Sequence, residues 1–228
     1  MPRRRASASE SRQDPESDRA EPVVAEQARI HVLRDGHRIL VRPLLPVDRA
    51  QMAERYAELS PSSRRSRFGT APDELSPHQL DQLVDLDYDD RFALGAVAVD
   101  EPGEPGVGVA RYARDSDDPT AAEAAVIVID AYQHRGIGSL LLWDLIAVAR
   151  AHGITTFTAT VMWESAELLD AVRCAGATVE PAEPGVAAVR FQLPDEGPTL
   201  DEVDAGSPER LRHWWEWYPR STPSPPQR

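Results

Sequence analysis

The stretch 122–142, AEAAVIVIDAYQHRGIGSLLL, constrains this chain more than any other. It opens with an apolar run, residues 124–129, that reads as a buried strand. A short loop, 130–135, carries the run into Gly136-Ile137-Gly138-Ser139 and then into an apolar helix. A strand that empties through glycines into a helix N-terminus builds an anion site. The first N–H groups of a helix have no intrahelical acceptor, its dipole end is positive, and glycine lets a phosphate approach the backbone. Gly136 and Gly138 stand where that approach is needed. No Gly-Lys-Ser/Thr follows, which excludes a Walker-type loop, and no third glycine completes a dinucleotide fingerprint.

The chain is 228 residues long, enough for one well-cored domain with tails. Residues 1–27 are rich in Arg, Ser, Glu, Asp and Pro and poor in large apolar side chains, so a disordered N-terminal tail is expected there. The folded domain is expected over 28–194, followed by an acidic, proline-rich tail over 195–228. Within that tail Ser207-Pro208-Glu209 starts a short helix bearing Leu211, Trp214, Trp215 and Tyr218 on one face. That helix is expected either to dock on its own domain or to bind a partner. No apolar run approaches a membrane span, and no secretory signal opens the chain. The single cysteine, Cys174, excludes an internal disulfide framework and a cysteine-rich zinc site, so a cytoplasmic setting is expected. A net charge of −13 argues against nucleic acid as partner and is compatible with a cationic substrate. The chain contains no lysine, so it offers no side-chain amine for acylating itself.

In chain order, a short strand around 39–41 runs to Pro43, and Pro46-Val47-Asp48 opens a helix with Met52, Tyr56 and Leu59 on one face. Ser60-Pro61 ends it, and a second short helix follows with solvated arginines and Phe68 toward the core. Ser76-Pro77 starts a third helix. The acidic cluster 85–90 has neither the glycine nor the closing glutamate of a calcium loop and reads as a solvated turn. Residues 92–100 and 107–114 form a hairpin across two Pro-Gly turns, with Val107, Val109, Arg111 and Ala113 on one face. After the glycine loop come a helix over 137–152, a strand over 154–161, and a helix after Ser165 with Leu168, Leu169, Val172 and Ala175 inward. Val179 and residues 186–193 close the sheet.

Gln133-x-x-Gly136-x-Gly138 at a strand–loop–helix junction resembles the acyl-CoA-binding motif of the GNAT superfamily of N-acetyltransferases. The strand, Arg-Pro, helix opening is similar to that superfamily as well, and the resemblance covers residues 37–193. It implies an α+β fold: a mixed, mostly antiparallel, splayed sheet flanked by helices. It also implies acetyl-CoA as co-substrate, with no metal and no membrane. The loop amides would hold the pyrophosphate and the splayed strand the pantetheine arm. The residues so implied are Val128, Ile129, Gln133, His134, Arg135, Gly136, Ile137, Gly138, Ser139 and Ser165, with a backbone N–H near Val128 toward the thioester carbonyl. Ser165 stands where the superfamily usually has asparagine, and Val172 where many members have the tyrosine that protonates the leaving thiolate.

Leu59-Ser60-Pro61-Ser62-Ser63-Arg64-Arg65-Ser66-Arg67-Phe68 resembles the LSP-x-S-x-x-x-RF stretch of bacterial protein lysine acetyltransferases that modify acyl-CoA synthetases. Ala122-Glu123-Ala124-Ala125 matches their AE-x-A segment, whose glutamate is the general base. Glu123 is therefore the expected base, and an apolar strand would desolvate it in a way that suits a base near neutrality. The expected reaction is direct acetyl transfer to an amine, a protein lysine first of all. A small-molecule amine, or a non-catalytic acyl-CoA-sensing module, are the alternatives.

Overall fold

The computed structural model describes residues 27–68 and 72–194. Apart from residue 27, the two expected tails lie outside these described residues, as does the Trp-rich helix. The strands are β1 (Arg29–Val32), β2 (Arg38–Pro43), β3 (Arg91–Ala98), β4 (Gly106–Arg114), β5 (Ala121–Val128), β6 (Thr156–Met162), β7 (Thr178–Pro181) and β8 (Val186–Gln192). The helices are α1 (Arg49–Ala57), α2 (Pro61–Phe68), α3 (Pro77–Val84), α4 (Ile137–Ala151) and α5 (Ala166–Cys174). The strands make one sheet in the order β1-β2-β3-β4-β5-β6-β8-β7. Every neighbouring pair is antiparallel except β5 and β6, which are parallel.

The unbroken apolar sequence of β3, Phe92 to Ala98, demands cover on both faces, and it is buried throughout. On one face α4 lays Ile137, Leu141, Leu145, Ile146 and Ala149 against Phe92, Leu94, Ala110, Tyr112 and Phe157. Each large aliphatic side chain so buried contributes about 1.5–3 kcal/mol. On the other face Leu44, Val84, Leu86 and Ala93 pack with Met52 and Val109. Beside them Tyr56 and Leu59 of the α1 stripe meet Ile127 and Ile129. The Arg-Pro opening has its own buried logic. Arg42 donates to both Asp48 carboxylate oxygens at 2.6 and 2.7 Å, and Asp48 also accepts from the Leu45 N–H at 2.8 Å. This pair fixes the turn from β2 into α1.

Four expectations need correction. The sheet starts earlier than the apolar run at 39 suggests: β1 pairs with β2 through its backbone, and His31 reaches Asp144 of α4 at 2.8 Å. Val107 does not share a face with Val109 and Arg111. The register between β3 and β4 shifts at Ala96/Val97, and this bulge turns Val107 into the α4-side core with Ala110 and Tyr112. Of the inner face expected for α5, Leu169 is buried, while Leu168 and Ala175 are exposed, because the helix packs on β7 at the edge of the sheet. Arg64 in α2 is not solvated: it is buried over the Tyr56 ring and donates to the Ala57 and Pro72 carbonyls at 3.0 and 3.1 Å.

Candidate active site

The two parallel strands part. β5 and β6 pair only at Ala121↔Thr156, Ala122↔Phe157 and Glu123↔Thr158. Beyond Glu123 each strand continues, β5 alongside β4 and β6 alongside β8. The result is a wedge with Glu123 at its apex. The wedge exposes backbone groups. The Ile129 N–H donates to the Val107 carbonyl on the β4 side at 2.9 Å. Antiparallel alternation therefore turns the Val126 and Val128 backbone groups the other way, into the wedge.

The loop beyond β5 closes the open end. It begins with a 3-10 turn, Asp130–Tyr132, and passes His134 at φ 59° and Gly136 at φ 89° before entering α4. Gly136 is needed for that left-handed turn, where a Cβ is strained. The first intrahelical bond runs from the Leu140 N–H to the Gly136 carbonyl at 3.0 Å, so the N–H groups of Ile137, Gly138 and Ser139 precede the helix ladder. Gly138 has an ordinary backbone conformation, and a Cβ there would stand 3.6 Å from Val128 and 3.8 Å from Val126. These residues line a groove of about 340 Å³ with Gln133, His134 and Tyr132 from the loop and Leu168 from α5.

The loop is tied down on three sides. Asp130 accepts from the Ser60 N–H and the Ser63 hydroxyl of α2, both at 3.0 Å. Burial would raise the Asp130 carboxyl, but these hydrogen bonds outweigh it and hold the group below the usual carboxylate value. Tyr132 donates to Glu101 in the β3–β4 turn, and burial with this acceptor pushes its phenol up. Arg135 donates to Asp35 in the β1–β2 turn at 2.8 Å and does not line the groove. Gln133 spans the inside, donating to the Val128 carbonyl at 3.0 Å and to the Ser63 hydroxyl at 3.3 Å.

The remaining predicted residues are placed as follows. Ile129 lines the space on the other side of β5, not the groove. Ser165 precedes α5 without a side-chain cap; its hydroxyl meets that of Ser66 at 2.9 Å, joining α2 to the far wall of the wedge. Val172 packs with Val161 and Leu169, so no acid stands at that position. Glu123 is exposed rather than desolvated by its apolar strand. It shares a face with Ala125 and Ile127, which line a cavity of about 90 Å³ under α1, together with Met52, Tyr56, Arg67 and Arg111. Ile127 lines both this cavity and the groove.

Residues 54–169 match the model of the Acetyltransferase (GNAT) family. The chain belongs to this family. It is 40% identical over 125 residues to Acetyltransferase PA5475 of Pseudomonas aeruginosa, a match covering 54% of this chain and 66% of that one. It is 30% identical over 169 residues to Acetyltransferase Pat of Mycolicibacterium smegmatis, covering 71% of this chain and 48% of that protein. The chain thus spans two thirds or less of these relatives. The crystal structure of the GNAT domain of S. lividans PAT superimposes with a TM-score of 0.68 at 31% identity, over 74% of this chain and 98% of that one.

Against the GNAT motif, sequence reasoning missed the residues that hold the motif in place. Asp130, Tyr132, Ser63 and Ser66 lie in or beside stretches already singled out, yet their partners are far off in sequence. One local signal existed. Ser60, Ser63 and Ser66 recur every three residues, which puts them on one face of a short helix. Among the described residues no group of three His, Cys, Asp or Glu side chains is placed to hold a metal, and no helix is long and apolar enough to cross a membrane.

Proposed function

We propose that this GNAT protein transfers an acetyl group from acetyl-CoA directly to an amine, a protein lysine side chain, with Glu123 as general base. The observation that carries this reading is the parting of β5 and β6 at Glu123, which sets a carboxylate at the apex of a wedge whose open end meets the glycine loop and the N-terminus of α4. Acetyl-CoA supplies the activated thioester. The Ile137, Gly138 and Ser139 N–H groups, with the positive end of α4, suit its pyrophosphate. The Val128 N–H faces the wedge, where it can polarise a carbonyl. Glu123 is exposed and takes the proton of the attacking amine, directly or through a water. As the C–N bond forms, the C–S bond breaks and the thiolate leaves; Val172 gives it no proton.

Two features favour a protein acceptor. The α2 stretch that resembles the protein lysine acetyltransferases bridges both walls of the wedge. The cavity beside Glu123 carries arginines, and among the described residues its one carboxylate, Asp48, is held by Arg42, so it does not suit a polyamine.

The test is calorimetric titration with acetyl-CoA, followed by CoA release with lysine-bearing proteins and small amines, for wild type and Glu123→Gln. The expected result is retained binding in the variant with turnover lowered about 10²–10⁴-fold. Equal rates would reject Glu123 as base, and turnover confined to small amines would reject the protein acceptor.

A further inference from the structure

The face of β5 that carries Glu123 continues through Ala125 to Ile127, and both line the cavity of about 90 Å³ that the described residues leave under α1. Its walls are predominantly apolar, with Met52 from α1, Leu83 from α3, Val109 from β4 and Ile127 from β5. Its floor is small where the sheet could carry large side chains. Ala125 lies between Glu123 and Ile127, and Gly95 and Gly106 stand where a Cβ would meet Leu44 at 3.4 Å and Gln51 at 2.8 Å. Its buried charges are matched, since Arg42 donates to Asp48 at 2.6 and 2.7 Å. Arg55, Arg67 and Arg111 line it as well; each is partly exposed, and the stem of such a side chain adds apolar wall. An apolar cavity of this size exceeds the ~10–15 Å³ that one water needs and falls short of the ~150 Å³ that takes a benzene ring, so it suits a few methylenes.

The cavity adjoins the groove in front of α4, because Ile127 lines both. The Val126 and Val128 backbone groups turn into the wedge between the two, where they can hold a thioester carbonyl. The acceptor amine comes from outside, to the exposed Glu123. What projects inward from a carbonyl held there is the acyl chain, and Ala125 leaves its way open. We propose that this cavity is an acyl-chain pocket, so that the protein uses a straight-chain donor of about four carbons, butyryl-CoA, as well as acetyl-CoA. The inference rests on the reading of the wedge as the acyl-CoA site. The transfer is the same as for acetyl: the amine nitrogen bonds to the carbonyl carbon, the C–S bond breaks, its electron pair leaves on the thiolate, and the amine proton passes to the base.

The test uses the full chain and calorimetric titration with acetyl-, butyryl-, hexanoyl- and octanoyl-CoA, with CoA release in the presence of a lysine-bearing protein as second readout. Each buried methylene tightens a ligand by up to about fourfold, so butyryl-CoA should bind about tenfold more tightly than acetyl-CoA, and the gain should stop once the chain outgrows the cavity. Val109→Phe, which fills the cavity, should bring the ratio of the two affinities to about one. Val109→Ala, which enlarges it, should move the tightest binding toward hexanoyl-CoA, a gain that misfolding cannot produce. Affinities within about twofold from acetyl- to butyryl-CoA would overturn the pocket and leave the acetyl-transfer reading intact. Tightening that continues to octanoyl-CoA and ignores both Val109 variants would lay the chain on the surface and overturn the pocket too. A Val109→Phe effect confined to the acceptor's KM would assign the cavity to the lysine stem and overturn the acyl assignment. No binding of any acyl-CoA would overturn both readings.

Discussion

Ser63 of α2 and Asp130 of the loop beyond β5 stand 67 residues apart in sequence and are joined by a 3.0 Å hydrogen bond from hydroxyl to carboxylate. Asp130 takes a second bond from the Ser60 N–H, so α2 and the loop between β5 and α4 are held as one unit. Asp130→Ala should loosen the loop before α4 and weaken acetyl-CoA binding about tenfold, the loss of about 1–2 kcal/mol of charge-assisted hydrogen bonding. Calorimetry reads this directly. An unchanged Kd would mean that the loop holds its shape through Tyr132 and Arg135 alone.

The same carboxylate sets a pH dependence. Asp130 lies below 3.8 in the folded chain, so its contribution to stability is complete at neutral pH. It is lost only as pH falls below the unfolded value and through the lower folded one. Asp130→Asn should therefore lower stability at pH 7 and narrow its gap to wild type below pH 3.8. Urea denaturation at a series of pH values measures the gap, and a gap that widens in acid would contradict the assignment.

The Arg42–Asp48 pair is 2% and 3% exposed and bonded at 2.6 Å. Asp48→Ala leaves the guanidinium buried without its counter-charge and should cost about 3–5 kcal/mol. Thermal unfolding should show a fall of about 10 °C or more. A fall of only a few degrees would mean that water reaches Arg42.

The two loop glycines should fail differently. Gly136 sits at φ 89° with open space around a Cβ, so Gly136→Ala strains the backbone by about 1 kcal/mol and weakens both stability and binding. Gly138 is in an ordinary conformation, and its Cβ position stands at van der Waals distance from Val126 and Val128, inside the groove. Gly138→Val should abolish acetyl-CoA binding while the unfolding temperature stays close to wild type. Paired calorimetry and thermal unfolding separate the two.

Much of the site was readable because it is local. The run from Ala124 through Gly138 needs only strand, turn and helix rules to become a strand, a glycine turn and a helix start. Leu168 was misplaced because helical periodicity says which residues share a face but not which neighbour that face meets. Val107 was misplaced because a one-residue bulge inverts alternation without marking the sequence. β1 was missed because RIHV has too little apolar contrast to announce a strand that backbone pairing supplies.

What the chain determined by sequence alone is therefore the strand–glycine turn–helix junction, the order of the elements after β1, and the family to which both point. These follow from residue spacing and from which side chains must leave water. Tertiary structure alone decided where β5 and β6 part, that Ser63 clamps Asp130, and that Arg67 and Arg111 share a cavity beside Glu123. Those relations join residues tens of positions apart, and only packing the whole sheet brings their charges and hydrogen-bonding groups within reach.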